Sequence, residues 1–311
     1  MEGWLKNALD SAFFNLDLCR SVTNPVSRMG DSAREAQRKT LRQEVTMKMD
    51  FHTHGKLAKK LPFSEVYTNW LFAEAKRAGL DAICLTEHFN TLGFDRIYGY
   101  IKNSCDREGD TFVADGLRIF PGMETDIAEG GHILSIGPVD AILELNRRLE
   151  PHKEKGNFLP FAQLLALLRE YPVLVGAGHP FRGMEEGTGN IARLPASLLT
   201  GFDFVDLNGK DLAEDAEKTI ERTKEFGRKL GKPVVTGSDT HQAFQYGCVH
   251  TDFSADFCTF SRLKEEMDAG AYTIHIEATL PFQVRTASVL KKALKQIHSL
   301  GGDYVQVLVS E

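Results

Sequence analysis

The sequence predicts an α/β protein built on a parallel sheet, open or closed into a barrel. Three observations carry that reading. From residue 46 onward, short β-rich apolar runs alternate with helical patterns, the order that parallel strands with helical crossovers require. A histidine, aspartate or glutamate follows almost every one of those runs. The 311 residues, 42% hydrophobic and 26% charged, have the composition of a globular chain able to bury one large core or two smaller ones.

Taken in order, the first strand runs over 46–52 and ends in Asp50-Phe51-His52-Thr53-His54. Residues i and i+2 of a strand share a face, so His52 and His54 can grip one ion where the strand runs out. A helix follows over 64–78, with Ser64 as its N-cap and Gly79 as its stop. The strand 82–86 leads into Glu87-His88, and 118–120 leads through Pro121-Gly122-Met123 into Glu124. His132 opens the strand 132–136. A helix over 161–170 precedes the strand 173–177, which is followed by His179 and, three residues on, Arg182. The strand 202–207 ends before Asn208 and a helix over 211–230. The strand 234–236 leads into Asp239-Thr240-His241. Helices over 261–269 and 288–299 flank a last strand, 272–276, and 183–189 is the most loop-like stretch of the core.

The chain divides near residue 46. Trp4, Leu5, Leu9, Phe13, Leu16 and Cys19 mark a short amphipathic helix. Arg28, Arg34, Arg38 and Arg42 are spaced as on a solvated helix. Residues 1–46 are therefore expected to be an N-terminal extension, partly helical or disordered, ahead of a catalytic domain over 47–311. The first 21 residues do not read as a signal peptide, because Asp10, Asn15, Asp17 and Arg20 interrupt the apolar stretch. No apolar run reaches the roughly 18 residues of a membrane span. Five cysteines without a C-x-x-C pair predict reduced thiols and a cytoplasmic location. A net charge of −6 gives no general attraction to nucleic acid or acidic membranes.

In barrels and open α/β sheets, functional residues gather at the carboxyl ends of strands. Singly, a histidine beside an apolar run is more often a hydrogen-bonded core residue, and an Asp-Thr-His more often an N-cap. Such residues at six strand ends reverse that preference. Imidazole and carboxylate suit Zn, Mn or Fe. The candidates His52, His54, His88, Glu124, His132, His179, Asp239 and His241 exceed what one four-coordinate ion needs, so two or three divalent ions sharing a carboxylate are expected. His152, His250, His275 and His298 lack this context and read as structural or solvent-exposed.

With these residues in place, the chain resembles the PHP (polymerase and histidinol phosphatase) superfamily of metal-dependent phosphoesterases. The resemblance rests on Asp50-Phe51-His52-Thr53-His54, on 78–88 with Glu87-His88, and on Gly122-Met123-Glu124. It rests further on Gly131-His132-Ile133-Leu134, Gly178-His179-Pro180-Phe181 and Gly237-Ser238-Asp239-Thr240-His241. It covers about 47–280 and implies a distorted seven-stranded (β/α) barrel. It further implies His52, His54, Glu124 and Asp239 around one ion, Glu124 bridging to His132 and His179 around a second, and His88 and His241 at a third. Many three-metal members carry a further histidine shortly after the His-x-His pair, where this chain has Lys60.

The expected activity is hydrolysis of a phosphate ester, the ions lowering the pKa of a shared water. Asp239, His241 or a metal-bound water would protonate the leaving alkoxide. Arg182 would clamp phosphate, since guanidinium matches its oxygens, and Lys60 would supply charge in place of a third ion. The expected partner is a small phosphorylated substrate: histidinol phosphate, a nucleoside phosphate or a short oligonucleotide. Nucleic acid is less favoured by the acidic balance. The alternatives are a metal hydrolase of the amidohydrolase type and a non-catalytic metal-binding module. Nothing in the sequence speaks to oligomeric state.

Overall fold

Met47, Met49 and Phe51 alternate with Lys48 and Asp50, and this period of two makes Met47–Thr53 the first strand, β1. The computed structural model describes residues 46–183 and 191–309. The expected N-terminal extension therefore lies outside the described residues, apart from Thr46, and so does most of the loop-like stretch 183–189. The further strands are β2 (Ala82–Leu85), β3 (Asp106–Glu108), β4 (Thr111–Ala114), β5 (Leu117–Asp126) and β6 (His132–Ile136). They continue with β7 (Leu174–Gly178), β8 (Phe204–Asn208), β9 (Val234–Gly237), β10 (Val249–Phe253) and β11 (Tyr272–Ile276).

The strands join in the order β11-β10-β1-β2-β5-β6-β7-β8-β9 and curl into a nearly closed barrel. That path holds nine strands, not the seven expected. The surplus is the antiparallel pair β10 and β11, which takes the edge of β1 through Met47↔Phe253 and Met49↔Thr251. Nor is the sheet wholly parallel. β6 pairs antiparallel with both β5 and β7; the connection 127–131 between β5 and β6 is a hairpin turn too short for a crossover. Gly130 and Gly131 make that turn at φ 83° and 105°. β3 and β4, which sequence reading passed over, form a flap paired to β5. Asp115 and Gly116 link β4 to β5 with φ 49° and 78°, the left-handed pair that a two-residue hairpin needs.

Helices pack around this sheet. Glu65–Arg77 starts where Ser64 accepts a hydrogen bond from the Tyr67 N–H, a cap worth about 1 kcal/mol. Phe94–Ser104 and Val139–Arg148 are helices that the sequence reading left as connections. The single helix expected over 211–230 is two, Gly209–Glu214 and Ala216–Leu230. Asp215 breaks it by turning extended and accepting from the Lys218 N–H. The last long helix begins at Leu280 rather than 288, with Pro281 in its first turn, where proline's missing N–H costs nothing.

Tyr67, Leu71, Phe72, Ile83, Leu85 and Ile133 belong to one buried layer between sheet and helices. Met47, Met49, Phe51, Phe204, Phe253 and Phe260 form a second. Each such side chain contributes about 1.5–3 kcal/mol by its burial, and this frame can hold strained backbone at the site.

Two irregularities of β1 set the site up. Its pairing with β2 slips between Asp50 and Thr53, and bulges of this kind re-aim side chains. Beyond that point β1 leaves β10 for the end of β9. The Asp239 N–H donates to the His52 carbonyl at 2.7 Å, and the His54 N–H to the Thr240 carbonyl at 3.0 Å. These bonds close the barrel between its first strand and the segment after β9.

Candidate metal centre

Gly237 makes that closure. A Cβ there would lie 2.2 Å from the His52 Cβ and 2.7 Å from its backbone nitrogen. The two segments after it bring Asp239 and His241 over the end of β1. Asp239 and His179 sit at φ 56° and 31°, left-handed conformations that cost about 1–3 kcal/mol each in a non-glycine residue. Two of the three non-glycine residues so strained among those described are thus predicted ligands.

All eight predicted ligands meet at this end of the barrel. Glu124, 1% exposed, is their centre. Its Oε1 lies 3.4 Å from His52 Nε2 and 3.4 Å from His179 Nε2, and it also contacts His132 Nδ1. Its Oε2 lies 3.4 Å from His54 Nε2 and 2.7 Å from His88 Nδ1. Asp239 Oδ1 is 3.4 Å from His54 Nε2 and 4.0 Å from His52 Nε2. The His241 and His88 rings both stack on His54, at 4.0 and 4.3 Å, and lie 5.4 Å from each other.

Three groups of donors each bring three ligand atoms within 4.8 Å of one another: His52, His54 and Asp239; Glu124, His132 and His179; and His54, His88 and His241. A direct observation tests whether such residues fit ions. His52 Nε2, both nitrogens of His54, His88 Nδ1, His179 Nδ1 and Glu124 Oε2 are buried without a hydrogen-bond partner. Even the 2.7 Å pair of His88 and Glu124 lacks hydrogen-bond alignment. Orphaned buried polar atoms cost about 1–3 kcal/mol each, and here they converge on a nitrogen and oxygen set suited to Zn, Mn or Fe.

A surrounding layer orients these donors. Asp206 Oδ2 takes His52 Nδ1 at 3.0 Å and is itself held by Asn208 Nδ2 at 3.0 Å. Asp126 Oδ1 lies 2.9 Å from His132 Nε2. Glu87 accepts the Gly55 and His88 N–H groups at 3.1 and 3.0 Å. The Tyr67 hydroxyl donates to the His241 carbonyl at 2.7 Å.

Burial alone would raise the Glu124 carboxyl, but His88, His132 and His52 outweigh it and hold it well below the usual carboxylate range. Burial likewise opposes ionisation of Asp239, and Lys210, His52 and Arg182 overcome it. His132 is pushed up to about 9 against its burial by Glu124 and Asp126. Burial brings His88 down to about 4. Burial, then Arg182, holds His179 well below its ordinary value, and burial, then His54 and Lys291, does the same for His241. A neutral imidazole is the form that binds metal.

Above this floor opens a cavity of about 510 Å³, walled by His88, Glu124, His132, Asp239 and His241. Its rim carries Lys59, Lys60, Arg182, Lys210, Lys291 and Lys295. Lys59 pairs with Asp126 at 3.1 Å, and Lys210 with Asp239 at 2.7 Å. Arg182 turns its guanidinium on protein, with Nε on Asp211 at 2.7 Å, one Nη on Asp239 at 2.9 Å and the other on Asn208 at 2.7 Å and again on Asp211 at 2.7 Å. Lys60, Lys291 and Lys295 make no ion pair among the described residues. Among the described residues, no helix is long and apolar enough to cross a membrane.

No protein-family model matches this chain, and no curated protein does. Among solved structures it is similar to PsfC from Pseudomonas syringae, at 22% identity and a TM-score of 0.66 over 80% of this chain and 99% of that one. It is also similar to the lesion-specific endonuclease EndoQ from Pyrococcus furiosus, at 17% identity and a TM-score of 0.54, over 74% of this chain and 58% of that one. A complex of Endonuclease Q with a 27-mer duplex carrying an abasic lesion matches at 17% identity and 0.53, over 75% and 58%. The chain thus spans somewhat over half the length of that endonuclease.

The fold is of the PHP type.

Sequence reasoning missed part of what this PHP-type barrel places at its mouth. Asp206 stands inside an apolar run, and a lone acid there was the available signal. Lys291 and Lys295, four apart on the helix Leu280–Ser299, and Lys210, next to the capping residue Asn208, gave no local sign of their destination.

Proposed function

We propose that this PHP-type chain is a metal-dependent hydrolase of phosphate esters. One observation carries the reading: a floor of unsatisfied imidazole and carboxylate atoms lies beneath a rim on which Lys60, Lys291 and Lys295 have no carboxylate partner among the described residues. His52, His54 and Asp239 would hold one divalent ion, Glu124, His132 and His179 a second, and His88 and His241 would complete a third group with His54. Zn, Mn or Fe ions so held supply a water of lowered pKa and positive charge beside the phosphate oxygens.

The remaining roles fall to the chain's own side chains. Lys60, Lys291 and Lys295 draw the phosphate in and neutralise its outer oxygens. Arg182 and Lys210 fix Asp239 and keep it ionised, so Asp239 serves as a ligand and not as an acid. Arg182 retains one N–H group for a phosphate oxygen. His241, neutral and on the cavity wall, gives a proton to the leaving oxygen when the third group holds no ion, donating from one ring nitrogen as it takes the attacking water's proton at the other.

A neutral cyclic amide would gain nothing from the lysine rim, which argues against the amidohydrolase alternative. A non-catalytic module would need neither the rim nor the cavity. Nucleic acid is the second reading: Lys291 and Lys295, one helical turn apart, suit a phosphate beyond the scissile one, and the similar EndoQ was solved with a DNA duplex. The described cysteines Cys84, Cys105, Cys248 and Cys258 are free, in keeping with a cytoplasmic location.

The test is metal quantification on protein purified without chelator, followed by a phosphate-release screen over monoesters, diesters, an abasic duplex and cyclic amides. Two or three ions per chain with phosphate release is the expected result. Turnover of amides only, or fewer than one ion per chain, overturns the proposal.

A further inference from the structure

His250 and His275 face each other across the antiparallel pair β10–β11. Their rings stack at 4.6 Å with an interplanar angle of 11°. Opposite residues of such a ladder keep their Cβ atoms about 4.5–5.5 Å apart, so the backbone itself holds the two imidazoles together. Glu277, two residues beyond His275, brings Oε1 to 2.9 Å from His275 Nε2. Asp252, two residues beyond His250, bonds His250 Nδ1.

One ligand atom from each of His250, His275 and Glu277 lies within 4.8 Å of the other two. Asp252 decides which nitrogen His250 offers. With Nδ1 committed to the carboxylate, Nε2 is left free, the arrangement by which a carboxylate orients a metal-binding imidazole. His250 is 6% exposed, while the His275 and Glu277 side chains are each 47% exposed. The anchor of the cluster is therefore fixed and its two outer members can adjust.

We propose that this sheet edge binds one divalent transition ion of the zinc class through His250 Nε2, His275 and Glu277, with a fourth position open to solvent. Two imidazoles and a carboxylate favour zinc over magnesium or calcium. Tetrahedral zinc with bonds of about 2.0–2.2 Å spaces its ligands roughly 3.3–3.6 Å apart. With the ligand atoms no more than 4.8 Å apart, reaching that spacing takes shifts of at most about 1.5 Å, which rotation of the exposed His275 and Glu277 side chains supplies. The site shares no residue with the barrel centre, and none of its members lines the cavity there. Its effect is structural: β11 ends the strand path and is paired on one side only, and the ion ties it to β10.

The full chain, stripped by chelator, equilibrated with micromolar zinc and freed of excess ion, gives the test. Wild type should hold one more zinc per chain than His275→Gln, and zinc should raise the wild-type melting temperature by more than it raises that of His275→Gln. Glu124→Gln, which strips ligands from the barrel, should still hold the ion that His275→Gln removes. Cobalt substituted for that ion in Glu124→Gln should show tetrahedral absorption bands. His275 and Glu277 are surface groups, so His275→Gln and Glu277→Gln should keep the wild-type circular dichroism. Equal zinc counts in wild type and both surface variants would overturn the proposal.

Discussion

Gly237 lies against His52 with no room for a single further carbon: a Cβ on the glycine would fall 2.2 Å from the histidine's own. The obstacle is backbone and Cβ, not the end of a flexible side chain. Gly237→Ala must therefore part the two segments that close the barrel. Overpacking of this kind costs about 1–3 kcal/mol or more, and the expected loss of 2–3 kcal/mol should appear as a fall of about 5–10 °C in Tm. Metal content measured on the same sample should fall with it, and an unchanged melting curve would contradict the close approach.

Asp206 reaches the centre through His52 Nδ1, at 3.0 Å, and through the His179 N–H, at 3.4 Å. Asp206→Asn keeps the size of the side chain while weakening its grip on the ring. Partners of this type are worth roughly 10–100-fold in metal affinity. Competition with a chromophoric chelator should register a loss in that range, and excess metal should restore activity if the role is orientation.

Arg182 touches Asp239, Asp211 and Asn208 at once. Arg182→Ala should therefore lower metal affinity as well as kcat/KM. An effect on KM alone, with metal binding intact, would make it a simple phosphate clamp. An unchanged kcat/KM would remove it from the site altogether.

Burial, helped by neighbouring Lys210, brings the Lys291 ammonium down to about 8. The group is charged below that pH and neutral above it, so attraction for an anionic substrate is present below pH 8 and lost as pH rises past it. KM should rise above pH 8 in the wild type. Lys291→Arg, whose guanidinium stays charged, should remove that rise. Lys291→Met should raise KM about tenfold at pH 7, the 1.4 kcal/mol of one charge-assisted contact, with little change in kcat.

Chelation should abolish phosphate release, and adding back Mn, Zn or Fe should restore it in proportion to the ions regained. The dependence on ion number reports how many of the three donor groups must be filled. Activity that survives exhaustive chelation would sever the barrel cluster from the chemistry.

The predicted ligands were legible in the sequence because all but His132, which opens its strand, follow an apolar run, and a strand's end is where its side chains are freed for function. His52, His88, Glu124, His179 and Asp239 all obey that rule, and the structure brings them together. The sheet's direction was less legible. Val173 to Ala177 reads the same whether its neighbour runs with it or against it, and only the short glycine-bearing connection at Gly130 and Gly131 marks β6 as antiparallel. The flap was foreshadowed by Asp115-Gly116, a turn signal that was not used. Asp206 and the lysines of the rim were hidden for a different reason: Asp206 meets His179 and His52 across 27 and 154 positions and Lys210 meets Asp239 across 29, and local pattern carries no information at that range. His250 and His275 were set aside as isolated, and cross-strand register alone makes them a pair.

The bonds from Asp239 to the His52 carbonyl and from His54 to Thr240 join the barrel's opening strand to its last turn at the very residues that would carry ions. Cargo and clasp are thus the same object. If ions held there were removed, the ring would lose the ties across this join, and hydrogen exchange at His54 and Asp239 should quicken before the rest of the described wall. A cell that starves this protein of metal would then be left with an unlatched shell, exposed to proteases at its seam, and the supply of ions would set how long the chain survives as well as how fast it works.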